Sequence, residues 1–220
     1  MITASVVTFH TSYVDLKRLL DCVLHSSIDI FFIIDNSSND SLREFASLSD
    51  KIVYIHSDNL GFGSGHNIAI RRSIELGAQY HAVINPDIYW EGDVAKLLAG
   101  FMDKQEDCGL VMPKVLYPNG DIQYLCKLLP TPMDLFGRRF IPFKAYQEKH
   151  DAWFELHRTG YAKVMEIPSL SGCFMFMRVG TLKQVGGFDE RFFMYAEEKD
   201  VSSTLIDTEV KACEEVVEAD

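Results

Sequence analysis

The sequence predicts an α/β protein, with a mostly parallel sheet flanked by helices and a small mixed C-terminal half. Three observations carry this. β-rich apolar runs alternate with helix-periodic runs through residues 1–100. The strand candidates are mostly apolar on both faces rather than alternating, as strands covered on both sides are. Three of them stop at residues with ligand-binding chemistry, namely His10, Asp35 and Asp87. Parallel strands bring such ends to one edge, which is where open α/β sheets bind ligands. Packing alone gives no reason to repeat that pattern.

Residues 2–9 form the first strand, ending at Thr8-Phe9-His10-Thr11. Helical spacing follows in Val14, Leu16, Leu19, Leu20, Val23 and Leu24, with Thr11 or Ser12 as the N-cap. Residues 28–34 form a second strand that stops at the polar run 35–40. Residues 41–45 predict a short helix and 51–56 a third strand. The stretch 58–67 is a loop with Gly61, Gly63 and Gly65. It opens a helix through Ile68, Ile70, Ser73 and Ile74 that ends near Gly77, a C′ candidate. The fourth strand, 80–85, must stop there, because Pro86 has no N–H to give a ladder.

A helix over 94–102, a strand over 110–116 and a hairpin turn with Asn119-Gly120 at its tip come next. A strand over 171–178 and a short helix over 179–185 lead to Gly186-Gly187-Phe188-Asp189. Residues 128–157 differ in kind. Pro130, Pro132 and Pro142 interrupt them too often for one long helix, and they read as a mobile insertion rich in aromatics. The expected organisation is one domain, 1–220, with a ligand-binding half (1–100) and a second half (101–220) carrying that insertion.

A chain of 220 residues with 47% apolar and 12% aromatic content can bury a full core. The formal net charge of −11 argues against nucleic acid as a partner, since phosphate backbones need a basic surface. Cys22, Cys108, Cys126, Cys173 and Cys213 are odd in number and lack CxxC spacing, which favours a reducing cytoplasm over disulfides or zinc. The expectation is a chain with no signal peptide and no membrane span.

Asp87, presented past the end of a buried strand, can hold a hard divalent cation, or it can cap the following turn. Asp35 can accept from a ribose hydroxyl or a base N–H, or it can make an Asx-turn. His10 is a structural residue or a ligand contact. The glycines of 61–65 allow close backbone approach, and a helix start offers N–H groups to an anion, as any tight strand-to-helix turn also would. In 186–200 an aromatic cluster precedes Glu197, Glu198 and Asp200. A carboxylate against an apolar wall suits a general base, and the alternative is a solvated acidic helix start.

The order Val-Thr-Phe-His, Asp-Asn-Ser-Ser-Asn-Asp, Asn-Leu-Gly-Phe-Gly-Ser-Gly-His-Asn, Ile-Asn-Pro-Asp, Ser-Gly-Cys-Phe-Met-Phe-Met-Arg and Gly-Gly-Phe-Asp-Glu-Arg-Phe-Phe-Met-Tyr resembles family 2 glycosyltransferases of the bacterial rhamnosyltransferase-like branch. The resemblance runs over residues 2–195. It implies the GT-A fold and transfer of a sugar from a nucleotide-sugar donor to a glycan or lipid-linked acceptor, with inversion, in bacterial cell-surface polysaccharide synthesis. It implies that Thr8, His10, Asp35, Ser37, Gly61, Asn67 and Asn85 line the nucleotide-sugar pocket. It implies that Asp87 holds Mg²⁺ or Mn²⁺, and that Glu197, Glu198 and Asp200 supply the catalytic carboxylates. Glu198 stands where the family pattern has its catalytic Asp. A second class of function is therefore a catalytically impaired nucleotide-sugar-binding paralogue or assembly partner. Arg138, Arg139 and Lys144 add an expectation that the insertion shapes the acceptor site or makes peripheral contact with the inner face of the membrane.

Overall fold

The computed structural model describes residues 1–129, 144–191, 193 and 211–215. Strands β1 (Ile2–Thr8), β2 (Ile30–Asp35), β3 (Ile52–His56) and β4 (Tyr80–Ile84) are parallel, in the order β3-β2-β1-β4. β5 (Cys108–Pro113), β6 (Met165–Glu166), β7 (Phe174–Arg178) and β8 (Lys211–Glu215) extend the same sheet to eight strands, ordered β3-β2-β1-β4-β7-β5-β8-β6. β7 is antiparallel to both neighbours, so the later part of the sheet is mixed. The second half of the chain thus builds onto the sheet of the first.

Helices cover both faces. α1 (Tyr13–Leu24) buries Leu16, Leu19, Leu20 and Val23, one stripe at helical spacing. α3 (Val94–Lys104) buries Leu98 and Met102 in the same core, against Ala4, Val6, Phe31 and Phe176. α2 (Phe62–Glu75) covers the opposite face: Ile70 packs with Val83, Met175 and Met177, and Ala69 with Phe32 and Ile34. β1 shows the strand period of two, with Ala4 and Val6 in the α1 core and Thr3 and Ser5 turned to α2.

That α2 face carries a buried polar seam. Ser73 Oγ donates to Ala69 O at 2.8 Å and lies 2.8 Å from His81 Nδ1, which is also 2.9 Å from Thr3 Oγ1. His81 Nε2 lies 2.9 Å from Ser5 Oγ, which is 2.8 Å from His66 Nδ1. His66 Nε2 is buried without a hydrogen-bond partner. Burial pushes both imidazoles down, His81 to about 3 and His66 well below the usual histidine range, so both are neutral.

Several boundaries differ from the sequence expectation: β2 starts at Ile30 and β7 at Phe174, and Ser41–Leu48 is a 3-10 helix. α2 starts at Phe62, so the glycine-rich stretch forms its first turns rather than a loop before it. Close packing overrides the poor helix propensity of glycine here: a Cβ on Gly65 would sit 2.7 Å from Val7 Cγ2. β5 ends at Pro113, which cannot donate, instead of running through residue 116. The 128–157 stretch contains α4 (Lys144–Phe154), formed where the prolines stop, followed by a 3-10 turn at His157–Thr159. Leu128 N donates to Phe154 O at 3.1 Å, tying the entry of this stretch to the end of α4. Arg138 and Arg139 lie outside the described residues. α5 (Val179–Val185) has the predicted bounds, and Gly77 takes the predicted positive φ after α2.

Candidate functional site

The site forms at the C-terminal edge of the parallel strands. Thr8 pairs with Asp35 in register, so the ends of β1 and β2 lie side by side. Asp35 is fully buried, and a buried carboxylate needs hydrogen bonds in place of water. It accepts from Thr8 Oγ1 at 3.1 Å, Ser37 N at 3.0 Å and Tyr54 OH at 2.8 Å. A carboxylate offers about four lone-pair positions, so these three contacts leave one unfilled. The Tyr54 phenol is pushed up, by burial first and then by its bond to Asp35. Ser37 Oγ accepts from His10 N at 2.9 Å, which closes the ring of contacts between the two strand ends. His10 has φ 51, a left-handed conformation uncommon outside glycine, and its exposed ring packs edge-on to Phe9.

Two strands away, β4 ends as the sequence expects. Asn85 N donates to Cys173 O at 2.9 Å, and Asn85 O accepts from Ile88 N at 3.2 Å. Residues 85–88 are thus a β-turn with Pro86 at its favoured second position and Asp87 exposed at the third. Asp87 is thus a turn residue whose carboxylate is exposed. Burial pushes the Cys173 thiol up to about 11, and the negative charge of Asp87 adds to the effect. A cavity of about 620 Å³ opens here, lined by Asn85, Asp87, Tyr89, Trp90, Lys114 and Tyr117 among others.

Asp87 offers one carboxylate. Among the described residues no group of three or more His, Cys, Asp or Glu could hold a metal. Such an arrangement fits an ion that takes one or two protein carboxylates and fills its shell with phosphate and water, and it does not fit a closed protein cage.

Gly61, the residue before α2, faces Phe193, and Asn67, on α2, faces Gly187, Phe188 and Glu190. Gly61 has φ 98, and a Cβ there would collide with Phe193 O. Phe62 N donates to that same oxygen at 3.1 Å, so the first N–H of the helix is already used and is not open to an anion. Asn67 is 4% exposed. Its Nδ2 donates to Phe188 O at 2.8 Å and Glu190 Oε1 at 3.0 Å, and its Oδ1 accepts from Phe188 N at 2.9 Å. Its bond to Glu190 comes first, and Arg71 second, in holding that carboxyl below the usual carboxylate range.

The structure therefore brings Thr8, His10, Asp35 and Ser37 together, sets Asn85 and Asp87 at the same edge, and turns Asn67 to the C-terminal segment. Glu197, Glu198 and Asp200 lie outside the described residues. Sequence reasoning missed Tyr54, Cys173 and the cavity-lining Tyr89 and Trp90. Only Tyr89 and Trp90 had a usable signal, as aromatics within three residues of Asp87. No helix among the described residues is long and apolar enough to cross a membrane.

Known proteins resemble this chain in sequence and in fold. The low-salt glycan biosynthesis hexosyltransferase Agl10 of Haloferax volcanii is 27% identical over 196 residues, covering 88% of this chain and 58% of its own length. The N-acetylglucosaminyl-diphospho-decaprenol L-rhamnosyltransferase of Mycobacterium tuberculosis is 26% identical over 157 residues, covering 67% of this chain and 50% of its own. The chain thus spans about half the length of these relatives.

Among solved structures, S. aureus TarS superposes with a TM-score of 0.65 at 14% identity, over 99% of this chain and 35% of its own. The mannosyltransferase PcManGT from Pyrobaculum calidifontis, in complex with GDP-Man and Mn²⁺, gives 0.61 at 14% identity over 99% and 57%. GalNAc-T7 with UDP, GalNAc and Mn²⁺ gives 0.67 at 11% identity over 97% and 42%. At these identities the likeness shows the fold, which is GT-A. The family model "Glycosyl transferase family 2" matches residues 5–185, so this chain belongs to glycosyltransferase family 2.

Proposed function

We propose that this chain transfers a sugar from a nucleoside diphosphate sugar to an acceptor hydroxyl with inversion at the anomeric carbon. The observation that most supports the reading is the company Asp35 keeps. A buried carboxylate with one acceptor position left shares a sheet edge with an exposed Asp87, in a family 2 chain. Asp35 would accept from the ribose or base, with Thr8 and Ser37 holding it in place. Asp87 would hold Mg²⁺ or Mn²⁺ against the diphosphate, and the bound ion would offset charge growing on the leaving group.

One of Glu197, Glu198 and Asp200 would take the acceptor's hydroxyl proton. The acceptor oxygen would then attack the anomeric carbon from the face opposite the phosphate. As the new C–O bond forms, the bond to phosphate breaks and its electron pair leaves with the diphosphate. The mycobacterial relative is named for rhamnosyl transfer to N-acetylglucosaminyl-diphospho-decaprenol. That name favours a glycan or lipid-linked acceptor. Cell-surface polysaccharide synthesis and work at the cytoplasmic face of a membrane are further parts of the proposal. Peripheral contact through residues 128–157 belongs to the same reading, and loss of salt-sensitive sedimentation with anionic liposomes would remove it.

A thermal-shift screen of nucleoside diphosphate sugars with Mn²⁺ identifies the donor, since a bound ligand raises the melting temperature. Transfer is then measured in the parent and in Glu198→Gln. The account expects transfer in the parent and none in the variant. A parental rate in Glu198→Gln moves the base to Glu197 or Asp200. Donor binding without transfer across a broad acceptor panel selects the other reading, a nucleotide-sugar-binding partner with Glu198 in place of the family's Asp.

A further inference from the structure

We propose that Asn67 is a positioning residue that fixes the segment leading to the base. The inference rests on the reading above only for what that segment carries: Glu197 and Glu198 follow Phe193 by four and five residues. Asn67 sits on α2, whose N-terminus the sequence assigns to the donor side. Its amide bonds go across 121 and 123 residues of sequence to the start of the C-terminal segment.

The fit is chemically specific. Phe188 presents both a carbonyl and an N–H to Asn67, at 2.8 and 2.9 Å. A partner must both donate and accept at that spacing, as a backbone amide does. Asp lacks the donors, Leu lacks both functions, and Gln is a methylene too long. The second N–H of Asn67 goes to Glu190 at 3.0 Å, so at most one lone pair of its amide is left for a donor sugar. Gly187, at φ 85, lets the segment come this close: a Cβ there would stand 2.5 Å from Asn67 Oδ1.

The far end of the segment is held as well, since Phe193 O accepts from Phe62 N and fills the space beside Gly61. Residues 188–193 are therefore pinned to α2 at both ends just before the candidate base. Arg71 adds an ion pair to Glu190 at 3.0 Å, but both side chains are more than half exposed, so this tie is the weaker one. Losing the Asn67 pin would let the base drift. A displacement of about 1 Å can cost on the order of 10²-fold in rate. Donor affinity has no reason to change.

The experiment uses the full chain and four variants: Asn67→Leu, Asn67→Asp, Asn67→Asp with Glu190→Gln, and Arg72→Ala. Three quantities are read: amide exchange at 188–191 without ligand, affinity for UDP, GDP and dTDP with Mn²⁺, and the transfer rate at saturating substrates. Arg72, which pairs with Glu75 on the exposed side of α2, is the control and should match the parent. Asn67→Leu and Asn67→Asp should raise exchange at Phe188 on the order of tenfold or more, as local opening becomes easier. The rate should fall on the order of 10²-fold with nucleotide affinity unchanged. Asn67→Asp keeps the acceptor for Phe188 N–H but sets a carboxylate against Glu190. Adding Glu190→Gln exchanges amide and carboxylate between the two positions and should return part of the rate, which a general loss of stability would not do.

Unchanged exchange in both single variants shows that Asn67 does not hold the segment. A parallel loss of nucleotide affinity makes Asn67 a donor contact instead. Raised exchange at a parental rate removes the positioning role. A parent that transfers no sugar removes the transfer reading itself, while the exchange result still decides whether Asn67 pins the segment. If Asn67→Leu does not fold, the Asn67→Asp pair carries the same test.

Discussion

Asp35 and Asp87 are carboxylates at strand ends, yet their surroundings set opposite expectations. Asp87 is exposed at a turn tip, so Asp87→Ala should leave stability within about 0.5 kcal/mol of the parent, as surface substitutions do. Asp35→Ala would strip the buried partners Thr8 Oγ1, Ser37 N and Tyr54 OH of their acceptor. It should cost about 1–3 kcal/mol by chemical denaturation, the range for buried groups left unsatisfied. An unshifted denaturation midpoint would show that these donors find water instead. Both carboxylates were legible because an apolar run stops at each. Tyr54 was not, since its hydroxyl meets Asp35 across a strand pair, 19 residues away. Asn67 was legible only as part of a motif. Its partner, 121 residues on, is fixed by tertiary packing that no local pattern encodes.

At the scale of the element, α2 concentrates what the sequence hid. Its glycines suggested a loop, because helix propensity argues against Gly63 and Gly65 in a first turn. What decides the matter is contact with β1. Gly65→Ala gains about 1 kcal/mol of helix propensity, but its Cβ would stand 2.7 Å from the stiff β-branched Val7. Overpacking of this kind costs about 1–3 kcal/mol, so the single variant should be destabilised. In a Val7→Ala background the same Gly65→Ala change should become neutral or stabilising. A thermodynamic cycle of the four proteins checks this, and additivity would contradict the close contact.

The polar seam under α2 makes a second prediction. His66 and His81 are neutral in the fold, whereas in the unfolded chain they take up protons below pH 6.5. The unfolded state then binds more protons, so stability is full above pH 6.5 and falls as the pH drops toward 3. The slope is about 1.4 kcal/mol per pH unit for each histidine. Between pH 6.5 and 5 most carboxylates are still charged, so this window isolates the imidazoles. Denaturant midpoints should fall across it in the parent, and fall about half as steeply in His66→Gln, which does not titrate. Equal slopes in the two proteins would show that His66 does not titrate on unfolding.

For the whole molecule, the first four strands were legible from alternation with helices, and their parallel pairing followed from the short helical crossovers. The rest of the sheet order was not. β7 enters antiparallel between β4 and β5 after a long excursion, and nothing in residues 171–178 specifies a neighbour. That insertion has a consequence at the site. It sets Cys173 beside the end of β4, where its carbonyl holds Asn85 and steadies the turn that presents Asp87. This edge therefore depends on both halves of the chain, and α2 ties the same edge to the segment 188–193. On the proposed function, this edge binds a nucleoside diphosphate through a metal held at Asp87. Calorimetry of UDP, GDP and dTDP, with and without Mn²⁺, in the parent and in Asp87→Ala tests it most directly. The account predicts that the parent binds one of the three far more tightly with Mn²⁺, and that Asp87→Ala loses the metal-dependent part at an unchanged melting temperature. Equal affinity with and without Mn²⁺ in both proteins would contradict it.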